Sequence, residues 1–390
     1  MIIKHINTNE PQEMPSALRR KLMTSLVLGA GSLALAACGG GGNDSSSVAS
    51  ANSLKQRKPS STSTTSTTTS TTTSTPTSPT SSDTTTVVTD TSFGVKGDGV
   101  TNDRLALQKA IDGSVGQILL ITGQSRIDAA GLDLRTNSHV RFASGASIKL
   151  LPYSTSSYQI MRIWDVNNVT LESPYLDGSK ELSSATSGEW GMGISICAGT
   201  NISVTSPTTI NCWGDGIYIA NSVTGSNVPS QNVTVNDHHA DGCRRQGVSI
   251  TSGSGITFNN PLWENIAGTN PQFGLDIEPD NNSAVLENIN IVNPTTKLCK
   301  GGGILVYLGA FPGPVAKNVS INISGHQNVG TWSGACAFAT EELRLNGYQV
   351  TGTIQSQNPV WDTPLSAAFV KLDWDNGGTA VSVSNPQTPA

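Results

Sequence analysis

The chain has 390 residues, room for one large domain or two ordinary ones, and only 13% of them are charged while 40 are Gly. Ser, Thr and Asn recur throughout, a mixture that favours a β-rich, turn-rich protein, because Gly and Asn supply turns and β-branched residues fill strands. From residue 87 onward 16 Lys and Arg face 24 Asp and Glu, a net charge of −8, which argues against nucleic acid as a partner because that needs a cationic footprint.

The N-terminus reads as an address. Residues 19–23 are Arg-Arg-Lys-Leu-Met, followed by a small, apolar run from Leu26 to Ala37. Such a run is too short to span a bilayer and suits a signal peptide over residues 1–37. It ends Leu35-Ala36-Ala37-Cys38, which resembles a lipobox, implying that Cys38 is lipidated and becomes the mature N-terminus. The Arg-Arg pair resembles a twin-arginine export signal, with an ordinary Sec signal as the alternative. Gly39 after the cysteine implies a lipid-anchored protein of the cell envelope, at the outer membrane. From residue 60 to 86, 24 of 27 residues are Ser or Thr. With no apolar side chains to bury, residues 38–86 are expected to form a disordered tether, leaving 87–390 as the domain.

Within that domain a repeat dominates. Five segments read x-Gly-apolar-x-apolar: Met192–Ile196, Asp215–Ile219, Gln246–Ile250, Phe273–Ile277 and Gly302–Val306, with glycines 23, 31, 27 and 29 residues apart. A second series alternates with them: Val169–Leu171, Ile202–Val204, Val233–Val235, Ile256–Phe258, Ile289–Ile291 and Val319–Ile321, five of the six preceded by Asn. At least two short strands per period, with no room for a helix, predict an all-β solenoid of stacked parallel coils. A propeller needs longer four-stranded units. Ile194, Ile217, Val248, Leu275 and Ile304 should form one internal ladder. The N-terminal end needs a cover, and Leu107, Ala110 and Ile111 fall on one face of a helix over 101–112, capped by Thr101 or Asn102 and ended by Gly113.

Ser92-Phe-Gly-Val-Lys-Gly-Asp-Gly-Val-Thr-Asn-Asp103, followed by Ala-Leu-Gln-Lys-Ala-Ile-Asp112, resembles the entry motif of the pectate-lyase-like superfamily, which includes rhamnogalacturonase/epimerase-type enzymes and phage tailspikes. The resemblance covers most of residues 90–350 and implies a right-handed parallel β-helix. It leaves the reaction open.

If residues one and three beyond each glycine point inward, residues two and four point outward, and coils ~4.8 Å apart make them one patch. The glycines are expected on that outer face, leaving room for a ligand. Asp276 and Glu278 then form an acid/base pair or, with Asp280, a calcium site, and Arg244 and Arg245 of the neighbouring coil can pair with them. Asp215, in Trp213-Gly-Asp-Gly-Ile-Tyr-Ile219, is similar to the catalytic aspartate of polygalacturonase-like hydrolases, although Arg244-Arg245 stands where that family has Asp-Asp. Asp215, Asp276, Glu278 and Arg245 are the catalytic candidates; Trp190, Trp213, Tyr218, Arg244 and Tyr307 are the substrate-binding ones. His238-His239-Asp241 is a weaker base cluster. Cys212, Cys243 and Cys299 share one repeat position, as a ladder of stacked thiols or with a Cys212–Cys243 disulfide. The expected function is cleavage of an acidic polysaccharide by hydrolysis or β-elimination; the alternatives are uronate epimerisation and a non-catalytic glycan-binding or adhesive β-helix.

Overall fold

The structure, a computed structural model, describes residues 86–331, 333–338, 348–362, 367–372 and 379–387. The signal peptide, Cys38 and the tether lie outside them. The described residues form a parallel β-helix of three sheets, with eleven, ten and nine strands. Each full coil visits all three. The first sheet holds the alternating series, for example Thr200–Thr205 and Ser230–Asn236. The second holds three-residue strands such as Thr208–Ile210, His239–Asp241 and Leu262–Glu264. The third holds the glycine repeat: Trp190–Cys197, Asp215–Ala220, Gln246–Ile250, Phe273–Ile277 and Gly302–Tyr307.

The expected ladder is present. Ile194, Ile217, Val248, Leu275 and Ile304 pair in register from coil to coil and are fully buried. Ile196, Ile219, Ile250, Ile277 and Val306 form the next rung, and each such side chain contributes about 1.5–3 kcal/mol through its burial. On the first sheet Val169, Ile202, Val233, Ile256 and Ile289 stack likewise. There the coil of Val319 departs from expectation. A register shift pairs Ile289 with Ile321, not Val319, which lies opposite Leu286. The asparagines just before these stacked residues adopt left-handed backbone, with φ of 56° at Asn168, 57° at Asn201 and 53° at Asn232. Their amides form a ladder, Asn232 donating to Asn201 and Asn201 to Asn168, both at 3.2 Å. Gly255 takes the next rung at φ 70°, because only the conformation is obligatory there.

The repeat glycines face inward, which corrects their expected place on the outer face. A Cβ on Gly216 would lie 2.3 Å from Thr209 Oγ1, and one on Gly247 would lie 2.9 Å from Trp263. Thr209, Ala240, Trp263 and Thr296 are the fully buried middle residues of the second sheet's short strands. Glycine therefore makes space for the core, and the chain bends there so that two successive residues point inward. Gly247→Ala is expected to cost about 1–3 kcal/mol by overpacking against the Gly274 carbonyl oxygen and Trp263. Chemical denaturation reads this, and an unchanged midpoint would return the glycine to a ligand-spacing role.

The capping helix runs Arg104–Gly113 and buries Leu107, Ala110 and Ile111 as expected. Its start does not follow expectation. Thr101 and Asn102 belong to the strand Asp98–Asn102, and Asp103 occupies the cap position. The Asp103 carboxylate accepts the N–H groups of Lys96 and Gly97, both at 2.8 Å, fastening the preceding loop to the helix. Gly113 is the helix's last residue, and Phe93 packs where its side chain would stand.

Candidate functional site

The outer face of the third sheet gathers the charge. Ser195, Tyr218, Ser249, Asp276 and Leu305 stand in one column, each paired in register with the next. The residue just before each glycine joins them on this face. Gln246 donates from Nε2 to Asp276 Oδ2 at 2.8 Å and accepts the Phe273 N–H at 2.8 Å. Asp215, in register with Gln246, accepts from Arg245 Nη1 at 3.0 Å. Glu189 Oε2 lies 3.6 Å from Arg245 Nε. One guanidinium thus stands among several carboxylates.

This face is largely screened from water. Asp215 is 0% exposed, Asp276 1% and Arg245 9%. Glu278 and Glu189 are half-buried and Asp280 is exposed. Asp276 therefore occupies the outer face, as the register requires, yet does not meet solvent, and Asp215 is more enclosed still. Burying a carboxylate favours its neutral form. Burial pushes Asp215 up to about 6 even though Arg245 opposes it. Burial, then the charge of Glu278, raises Asp276 well above the usual carboxylate range. Burial also raises Glu278, against the pull of Arg245. For Arg245 itself, burial works against the charge, but Asp215, Glu189, Asp276 and Glu278 outweigh it and strengthen the proton's hold.

Three buried polar atoms here make no hydrogen bond, Asp215 Oδ1, Ser249 Oγ and Asp276 Oδ1, and Arg245 Nε meets only Glu189, at 3.6 Å. Unsatisfied buried groups cost about 1–3 kcal/mol each, so their convergence on one face calls for a reason beyond folding.

The aromatic candidates divide. Trp190 is half-buried, edge-on to Tyr218 at 6.0 Å, with the Arg245 guanidinium 5.8 Å from its ring. Tyr218 is buried at 7% exposure, so it forms a wall of the site. Trp213 packs into the main core, and the Arg244 guanidinium lies over its ring, 4.2 Å from the centroid. Arg244 also donates to the carbonyls of Gly188 and Trp213 and makes no carboxylate pair. Tyr307 stands half-buried at the neighbouring coil.

The histidine cluster separates. His238 is wholly in the core, where its Nδ1 accepts from Trp263 Nε1 at 3.1 Å and burial depresses its pKa to about 3. His239 lies on the outer face of the second sheet, 3.0 Å from Glu264, which also binds Lys297 at 3.0 Å. Cys212, Cys243 and Cys299 are free thiols buried in the core. Among the described residues, the side chains whose metal-ligating atoms lie within 4.8 Å of one another are His239, Asp241 and Glu264, not Asp276, Glu278 and Asp280.

Glu189, Gln246 and Ser249 belong to the site, and sequence reading passed over them. Glu189 lies outside the repeat. Gln246 shares its repeat column with Asp215 and Ser249 shares its column with Asp276, so column comparison held the available signal.

No protein-family model matches the chain. It is 28% identical over 262 residues to the pre-neck appendage protein of Bacillus phage phi29, covering 62% of this chain and 29% of that one. The chain spans well under half the length of the curated relatives it matches. A solved iota-carrageenase complexed to iota-carrageenan fragments superposes with a TM-score of 0.59 at 12% identity, over 77% of this chain and 88% of that one. PfbA, a surface adhesin of Streptococcus pneumoniae, gives 0.51 at 12% identity, over 78% and 91%. These likenesses and the coil geometry agree on the fold: the chain is a parallel β-helix protein.

Proposed function

We propose that the outer face of the third sheet is the active centre of a polysaccharide-cleaving enzyme and that the reaction is hydrolysis. One observation carries this reading: carboxyl groups with raised pKa crowd a single buried guanidinium beside three buried polar atoms that make no hydrogen bond. Glu278 is the proton donor, because its pKa is raised and it is open enough to touch a glycan. Asp276 lies behind it and shares its proton. Glu189, across Arg245, is the base. Glu278 gives its proton to the glycosidic oxygen, which leaves with the bond's electron pair. Water loses a proton to Glu189 as its oxygen joins the anomeric carbon. Trp190 offers an apolar ring for a sugar. Elimination and epimerisation at a uronate both need a cation free for the sugar's carboxylate, and Arg245 is already committed to Asp215.

In the cell we propose export and anchoring through Cys38, which mass spectrometry of the mature N-terminus tests. Calcium would have to compete with Arg245 for Asp276, Glu278 and Asp280. The deciding assay is the full chain against a polysaccharide panel, with calcium and with a chelator, reading reducing ends and unsaturated-uronate absorbance together. New reducing ends without that absorbance are expected. Unsaturated products would replace hydrolysis by elimination, and binding without cleavage would make the protein a glycan-binding surface β-helix.

A further inference from the structure

We infer that the glycan taken by this site is neutral at the sugar where it is cut, carrying neither carboxylate nor sulfate there. The inference rests on the active-face reading above and narrows its substrate. An anionic sugar needs an uncommitted cation, and the guanidinium groups of this face are otherwise engaged. Five carboxyl groups, Glu189, Asp215, Asp276, Glu278 and Asp280, surround or approach Arg245. Arg245 is bound to Asp215 at 3.0 Å and lies 3.6 Å from Glu189. Arg244 lies on the Trp213 ring and donates to two backbone carbonyls. Arg162, on the same sheet, is paired with Asp133 and stands four coils from Asp276 in its column, roughly 19 Å away at ~4.8 Å per coil.

An anionic sugar brought to Glu278 would therefore meet like charge in a poorly solvated place. That either repels it or forces further protons onto the carboxyl groups. Hydroxyl groups meet no such penalty. They can hydrogen-bond to Glu189, Glu278 and Asp280, the members of the cluster that reach solvent. The Trp190 ring accommodates the apolar face of a pyranose, again without a demand for charge.

The test uses pairs of polymers with one backbone and different charge: dextran and dextran sulfate, hydroxyethyl and carboxymethyl cellulose, and methyl-esterified and de-esterified homogalacturonan. Affinity electrophoresis measures binding to the full chain, and reducing-end release measures cleavage. In any pair that responds, the neutral member is expected to bind and react at least ~10-fold better, about 1.4 kcal/mol. Glu189→Gln, which removes the negative charge of the base, should narrow the gap in binding. Equal or better use of the charged member overturns this inference and leaves the catalytic reading standing. Preferential binding of neutral members with no cleavage anywhere does the reverse. No binding to any member sinks both.

Discussion

Glu278→Gln is expected to slow glycan turnover by ~100-fold or more, the usual worth of a positioned acid, while the protein stays folded. Its stability near pH 7 should equal or exceed that of the parent. Glu278 carries a raised pKa in the folded chain, so ionising it costs stability as pH rises above its unfolded value, and glutamine removes that cost. The two stability curves should converge at acid pH, where the parent's Glu278 is protonated in both states. In the parent, the rate should fall as pH rises through the raised pKa, because the donor must hold its proton. The variant should lose that limb. Stopped-assay rates and urea denaturation across pH 4–9 measure both effects. Full activity in the variant would move the chemistry off this face.

Most of the coil was readable because burial imposes it on many residues at once. The Ile194–Ile304 ladder and the first-sheet series each repeat an apolar residue at one place per coil, and period-two alternation fixes the face. The second sheet left no such mark. Its three-residue strands from Thr208 onward bury only the middle residue, and those residues are Thr209, Ala240, Trp263, Thr296 and Asn328, which share neither size nor polarity. Missing that sheet also misplaced the glycines, since the groups that press on them were unseen. At the site, columns correctly brought Asp276 beside the coil of Arg245. They could not show that Arg245 would choose Asp215, that Arg244 would turn to Trp213, or that Asp215 and Asp276 would be enclosed. Those outcomes depend on side-chain direction at the bends, where alternation breaks.

Arg245→Met should destabilise the protein by about 3–5 kcal/mol near pH 7, the cost of leaving buried charge uncompensated. The guanidinium opposes the burial that raises Asp215, Asp276 and Glu278. Without it, their folded pKa values must rise further. A group whose folded pKa exceeds its unfolded value loses stability as pH climbs from the unfolded value toward the folded one. The loss in Arg245→Met should therefore be small near pH 4, where all three carboxyl groups can keep their protons. It should grow through pH 6, where Asp215 titrates in the parent. A smaller pH-independent remainder is expected from the lost contact with Trp190. Adding Asp215→Asn to Arg245→Met removes the carboxylate that depended most directly on the guanidinium, so it should recover part of the loss at pH 7 and little at pH 4. Urea denaturation of the single and double variants at both pH values separates these contributions. Equal destabilisation at pH 4 and pH 7, with no recovery in the double variant, would reduce Arg245 to a packing residue and remove the electrostatic basis for an active centre on this face.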